Sequence, residues 1–273
     1  MSEGLAVAGF LFAMIGLFAC ARWIQKRLSW HPEAARKMIH LVLGLATLSF
    51  PWLFGSTWPV WLLAALAIGL FLLLRFWQPA RTGLGEAIHS VERSSLGEYC
   101  FPLAVAVVFQ LAEGVPARFL IPILILTLAD ATGALVGVRY GKALYRSGGG
   151  MKSAEGSVAF FVVAFLSVHV PLLLLTEVGR VESLLIAVIV GVMVMLMEAV
   201  SWRGLDNLFV PLLAFLALEG LIDRDAGDLA LRLGLLILLG LTASLPRSLT
   251  RMEQEGILGA LLFAFVFWSV SGK

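Results

Sequence analysis

The residues of this 273-residue chain that could carry chemistry fall in four short runs. The most pointed starts at Asp130 and continues with Gly133, Gly137 and Gly141, a polar stretch holding Gly148, Gly149 and Gly150, then Lys152-Ser153-Ala154-Glu155-Gly156-Ser157. Asp130 lies well inside an apolar run, where an acid is costly and reads by default as a functional group. Glycines four apart let a second helix approach closely, so packing alone accounts for them; it does not account for Asp130. The glycine-rich loop, the Lys152 ammonium and the Ser153 and Ser157 hydroxyls would supply amides and a cation to phosphates at a helix N-terminus. This is not a Walker A loop, because Met151 stands where that motif has Gly and no strand is expected before it.

The other three runs are each open to two readings. Arg36-Lys37-Met38-Ile39-His40 places Arg36 and His40 on one helical face, either to hold phosphate oxygens or as a basic anchor where a helix leaves the membrane. Glu98 follows Ser94-Ser95-Leu96-Gly97 at a helix start, where the dipole favours a carboxylate as a structural cap; the alternative is an acid facing a cation or nucleotide. Glu198 sits in an apolar run and is followed by Gly204-Leu205-Asp206-Asn207 and Pro211. Asp206 is either an N-cap or, with Asp130, Glu155 and Glu198, one of a set of hard oxygen donors. Mg²⁺ usually takes one or two carboxylates plus substrate phosphates, so not all four need be ligands. His31 and His89 read as loop residues and His169 as a mid-span residue without an obvious partner, while Cys20 and Cys100 show no metal or redox spacing.

The elements that must position these groups are membrane helices. The chain is 60% hydrophobic and 14% charged, against about a quarter charged in soluble domains, which excludes an ordinary soluble protein. Apolar blocks long enough to cross a bilayer lie near 4–22, 38–54, 58–76, 97–112, 117–138, 156–175, 183–200, 206–221, 228–245 and 256–270. The expectation is an all-α polytopic integral membrane protein of about ten transmembrane helices, forming one helical domain over 1–273. Arg22, Lys26 and Arg27 follow the first block instead of preceding it, which argues for a retained span over a cleaved signal peptide. With the N-terminus outside, all of the 20 Lys and Arg except Arg118, Arg180, Arg224, Arg232 and Lys273 fall in cytoplasmic loops, as the positive-inside rule requires. The unusual polar residues gather on that same side. A formal net charge of +2 gives no footprint for nucleic acid.

Taken in order, these runs resemble the dolichol, phytol and polyprenol kinase family of integral membrane enzymes, relatives of the cytidylyltransferases that make CDP-diacylglycerol. The resemblance rests on Arg36-Lys37-x-x-His40, Ser-Leu-Gly97-Glu98 with Pro102, Asp130 with Gly133, Gly137 and Gly141, Lys152-Ser153-x-Glu155-Gly156-Ser157, and Glu198 followed by Asp206-Asn207 and Pro211. It covers residues 36–211. It implies transfer of the terminal phosphoryl group of CTP to a lipid alcohol such as a polyprenol, dolichol, phytol, geranylgeraniol or farnesol, with Mg²⁺, at the cytoplasmic face of the cytoplasmic (inner) membrane. On that reading Arg36, Lys37, His40, Gly133, Gly137, Gly141, Lys152, Ser153, Gly156, Ser157 and Asn207 hold nucleotide and phosphate, and Asp130 and Glu155 hold the metal. Asp130, Lys152, Glu198 and Asp206 form the catalytic set, with Glu98, Glu198 and Asp206 open between a second metal ligand and the base for the alcohol proton. The cytidylyltransferase signature, a Pro-Gly-His-Gly-Gly stretch followed by acidic residues, is replaced here by Arg203-Gly204-Leu205-Asp206-Asn207, which favours a kinase. A phosphatidate cytidylyltransferase, a CTP-dependent diacylglycerol kinase and a transporter or scaffold are the alternatives.

Overall fold

The computed structural model describes residues 3–28, 32–76, 96–147 and 150–243. The chain packs as two compact units, Met1–Val115 with Arg203–Leu208, and Pro116–Trp202 with Phe209–Lys273.

In the first unit, α1 (Glu3–Leu28), α2 (Pro32–Thr47), the single turn α3 (Phe50–Leu53), α4 (Trp58–Phe76) and α5 (Gly97–Leu111) follow one another. The block expected near 38–54 is divided at residues 48 and 49. Pro51 lies at the start of α3, where its missing N–H is harmless but from which it could not continue a helix interior. The Thr47 and Ser49 hydroxyls donate to the carbonyls of Gly44 and Ala46, each at 2.7 Å, and so satisfy groups freed by the break. Glu3 accepts from the Gly55 and Ser56 amides at 3.0 and 3.1 Å and from the Ser56 hydroxyl at 2.8 Å. That carboxylate brings the starts of α1 and α4 to one end of the unit. Met14, Ile39 and Phe71, from α1, α2 and α4, form a small buried cluster with Tyr99 of α5 against it.

The second unit is built on α6 (Pro116–Tyr140), a β-hairpin of β1 (Leu144–Ser147) and β2 (Gly150–Ser153), then α7 (Ala154–Leu175), α8 (Arg180–Val200), α9 (Asp206–Leu221) and α10 (Ala226–Ala243). The first residues of α9, up to Leu208, count with the first unit. Helices α6, α7 and α8 are long and apolar enough to cross a membrane. Shorter apolar helices cover Glu3–Leu17, Lys37–Leu53, Trp58–Leu73 and Gly97–Leu111. The core is a continuous apolar cluster in which Ile121 and Ile125 of α6, Phe160 and Ala164 of α7, and Ile186 and Met193 of α8 are almost fully buried.

Two features amend the all-helical expectation. Residues Ile125–Ala129 of α6 form a π-turn, with the Asp130 amide bonded back to the Ile125 carbonyl. The extra residue turns everything after it by about 100° relative to a regular helix, and Asp130 is the first residue beyond it. The second feature is the hairpin, because a strand does precede Lys152. Leu144 pairs with Ser153, Tyr145 with Lys152, Arg146 with Met151 and Ser147 with Gly150. The segment thus lays paired strands at the start of α7, while Gly148, Gly149 and the expected last span at 256–270 lie outside the described residues.

Candidate functional site

In the second unit the site grows from the contact between α6 and α7. Gly133, Gly137 and Gly141 all turn toward α7: a Cβ at Gly133 would stand 3.0 Å from the Phe160 Cβ and 3.2 Å from the Gly156 carbonyl oxygen. One at Gly137 would lie 3.2 Å from the Ser153 Oγ, and one at Gly141 only 2.7 Å from the Ser153 Cβ and Oγ. From the other side, a Cβ at Gly156 would come within 2.8 Å of the Gly133 carbonyl. These four glycines let the backbones touch, as the packing reading of the spacing anticipates. Asp130 lies about one turn before Gly133 and is 8% exposed.

The start of α7 is fastened by side chains. Ser153, extended at the N-cap position and buried, accepts from the Gly156 amide at 3.2 Å, satisfying one of the free amides of the first turn. Glu155 reaches back to accept from the Lys142 amide at 3.1 Å and the Ala143 amide at 3.2 Å, which holds the entry to the hairpin. Ser157 meets the Tyr145 phenol at 2.7 Å. On the same face of the hairpin, Lys152 Nζ donates to the Glu198 Oε1 at 2.7 Å and also to the Glu198 main-chain oxygen. Both side chains of that pair are largely buried, at 23% and 18% exposure. A charge pair so withdrawn from water interacts more strongly than a surface one. Burial pushes the Tyr145 phenol above its ordinary value, the hydrogen bond with Ser157 opposes this, and the negative charge of Glu198 adds to the rise. Tyr145 therefore stays protonated at neutral pH.

In the first unit, the loop before α9 is stitched to the start of α5. The Leu96 amide donates to the Arg203 carbonyl at 2.7 Å, and the Asn207 side-chain amide donates to the Gly97 carbonyl at 3.1 Å. Arg203 and Gly204, both at positive φ (55° and 83°), make the turn that permits this, and Gly204 is the residue type suited to it. Asp206 stands in the first turn of α9 and its carboxylate accepts from the Asn207 amide at 3.1 Å. Glu98, in the first turn of α5, lies 3.8 Å from the Arg75 guanidinium, which also sits over the Tyr99 ring. Lys37 is buried, and the His40 ring packs at 4.5 Å from the Phe101 ring. Arg36 belongs to α2, but its side chain lies outside the described residues.

No family model matches the chain. No solved structure matches it. The phytol kinase of Synechocystis sp. is 31% identical over 207 residues, which cover 75% of this chain and 86% of the relative. The chain belongs to the phytol and polyprenol kinase family.

Within this family member the expected site residues divide between the two units. Asp130, Gly133, Gly137, Gly141, Lys152, Ser153, Glu155, Gly156, Ser157 and Glu198 fall in the second, and Lys37, His40, Glu98, Asp206 and Asn207 in the first. In this conformation Ser153 and Asn207 act as a cap and a loop tie. Tyr145 is the member of the second cluster that the motifs do not name. Its trace in the sequence is its place on the other side of the glycine-rich stretch from Lys152, which becomes visible only once the strands are paired. His169, expected to lack a partner, has one: its Nδ1 lies 2.9 Å from the Ser183 Oγ on α8, and its ring stacks on Phe165.

A magnesium ion is the group that the sequence motifs lead one to expect. Among the described residues no three His, Cys, Asp or Glu side chains gather into a metal cage. A single buried carboxylate such as Asp130 has the chemistry for the other arrangement, a cation held by one carboxylate and by the phosphates it accompanies. Both oxygens of Glu155 already accept backbone amides.

Proposed function

We propose that the protein is a CTP-dependent kinase that transfers the terminal phosphoryl group to the hydroxyl of a membrane isoprenoid alcohol, at the cytoplasmic face and with Mg²⁺. The observation that supports this most is the meeting of Lys152 and Glu198 at 2.7 Å on the hairpin, in a chain that is 31% identical to a phytol kinase over three quarters of its length. Phosphoryl transfer depends on positioning and charge neutralisation more than on covalent chemistry from the protein. Lys152 supplies the positive charge for the nucleotide phosphates. As it turns to them, Glu198 is released from its cation and is left beside the phosphates as the base. The alcohol oxygen bonds to the terminal phosphorus, the bond from that phosphorus to the bridging oxygen breaks, CDP leaves, and the alcohol proton passes to the Glu198 carboxylate. Magnesium, held by Asp130 when bound, would neutralise charge on the phosphate oxygens. The exposed apolar side chains of α7, among them Val158, Val162 and Leu166, offer a surface along which a prenyl chain can lie in lipid.

The test uses protein purified in detergent with Mg²⁺ and CTP labelled either at the terminal phosphate or on cytidine, offered farnesol, geranylgeraniol, phytol, a long polyprenol, diacylglycerol and phosphatidic acid. Terminal label alone entering an isoprenoid alcohol is the expected result. Cytidine label entering phosphatidic acid would make the protein a cytidylyltransferase, and label entering diacylglycerol alone would change the acceptor.

A further inference from the structure

The hairpin has a polar face that the motifs leave half explained. Two strands of four residues are too small to hold a conformation by themselves, so their place is set by what their side chains reach. The pairing register puts Tyr145 directly opposite Lys152, and directly opposed residues project from the same face. From that face Lys152 extends to Glu198 on α8, and Tyr145 extends to Ser157, in the second turn of α7, at 2.7 Å. One strand is thus tied to α8 and the other to α7. Glu155 secures the backbone where β1 is entered, at Lys142 and Ala143, so that of these three ties only those of Tyr145 and Lys152 act on the face where phosphates would bind. Lys152 must let go of Glu198 to bind phosphate. Glu155 and the Ala154 amide, which donates to the Ala143 carbonyl at 2.9 Å, hold the base of the hairpin, and the Tyr145–Ser157 bond is then the side-chain tie on that polar face that still holds its strands, and the lysine on them, against α7.

We propose that Tyr145 is a positioning residue for the nucleotide: its hydrogen bond to Ser157 holds the hairpin against α7 so that Lys152 can exchange Glu198 for phosphate without the strand moving away. The inference rests on the kinase reading above and deepens it. An ordering cost that the native protein meets in advance would fall on nucleotide binding once the bond is lost. The alcohol does not meet the hairpin on this account, and transfer itself proceeds once phosphates hold Lys152.

Tyr145→Phe removes a single oxygen and keeps the ring. The expected result is a three- to tenfold rise in KM for CTP, the range of one neutral hydrogen bond, with kcat and the alcohol KM within twofold of the parent. Ser157→Ala should raise the KM for CTP at least as much, since Ser157 is itself among the residues expected to hold phosphate, and adding Tyr145→Phe to Ser157→Ala should raise it no further, as two ends of one interaction require. An unchanged KM for CTP, additive effects, or an equal rise in the alcohol KM would overturn the proposal. A readout independent of turnover is a spin label on Met151→Cys, a residue 60% exposed on the hairpin, in protein with Cys20 replaced by Ser. Tyr145→Phe should loosen the label, and unchanged mobility counts against the proposal even if no phosphoryl transfer is found. Parent protein that transfers nothing while the label still loosens removes the kinase reading and leaves the tie standing.

Discussion

Replacing the glycines of the α6–α7 contact by alanine, one at a time, should destabilise the protein in an order set by the room at each position. Gly137→Ala meets the Ser153 Oγ at 3.2 Å and the Gly156 Cα at 3.8 Å. A small adjustment of one hydroxyl suffices, and alanine gains up to about 1 kcal/mol over glycine inside a helix, so the net change should be within ~1 kcal/mol of zero. Gly133→Ala meets the Phe160 Cβ at 3.0 Å and a backbone oxygen at 3.2 Å, neither of which a rotamer change can move; overpacking of this kind costs about 1–3 kcal/mol. Gly156→Ala is tighter, at 2.8 Å from the Gly133 oxygen and 3.1 Å from the Gly137 Cα. Gly141→Ala is worst, since its Cβ would overlap the Gly137 carbonyl oxygen and stand 2.7 Å from Ser153. It also sits at the C-cap outside the helix, so no helical gain offsets the clash, and the cost should reach the upper end, about 3 kcal/mol. Gly69→Ala in α4, with nothing within 4 Å of its Cβ, is the control and should be neutral or slightly stabilising. Thermal unfolding in detergent, followed by tryptophan fluorescence, would show a midpoint lowered by roughly 6–12 °C for Gly141→Ala, with Gly156 and Gly133 between it and Gly137. A Gly141→Ala protein as stable as the parent, or a Gly69→Ala protein as unstable as Gly141→Ala, would refute the close helix contact and return the glycines to a phosphate-binding explanation.

Three further outcomes follow from the same geometry. Lys152→Ala should raise the CTP dissociation constant about tenfold or more, by loss of a charged contact, whereas Glu198→Gln should lower kcat by about 10²–10⁴ with little change in that constant; isothermal titration beside steady-state rates separates the two, and identical profiles would mean that the pair acts only as a structural bridge. Asp130→Asn should remove turnover and, in a readout free of turnover, weaken Mn²⁺ binding to the protein–CTP mixture measured by electron paramagnetic resonance; undiminished binding takes Asp130 out of the metal site. A Met151→Cys protein should react with an impermeant maleimide from the cytoplasmic side in oriented vesicles, and labelling from the opposite side would invert the proposed topology.

Much of the helical framework was legible from apolar block length alone. The blocks near 58–76, 97–112 and 206–221 coincide to within a residue with α4, α5 and α9, because a helix satisfies its own backbone and needs only a long enough apolar run. The break before Pro51 is also local chemistry, but the apolar run continues through it, so block length alone does not reveal it. The hairpin was not legible in the same way. Leu144–Ser147 and Gly150–Ser153 carry a weak strand pattern, and their state depends on pairing with each other and on ties to α7 and α8.

The candidate site divides along the same line. The sequence by itself determined which groups are chemically unusual: an acid at 130 within an apolar run, a lysine and hydroxyls after a glycine-rich turn, and a glutamate at 198, since charge in an apolar segment is conspicuous without coordinates. Only the tertiary structure decided what each one meets. Lys152 finds Glu198 46 residues away, Glu155 turns back onto two loop amides, His169 finds Ser183 across a helix pair, and Tyr145 joins the cluster without any motif. Hydropathy and helical period are properties of neighbours along the chain, whereas ion pairs, caps between elements and strand register are set by which elements pack together. That packing is decided by glycine contacts, a π-turn and a hairpin whose effects appear only in three dimensions.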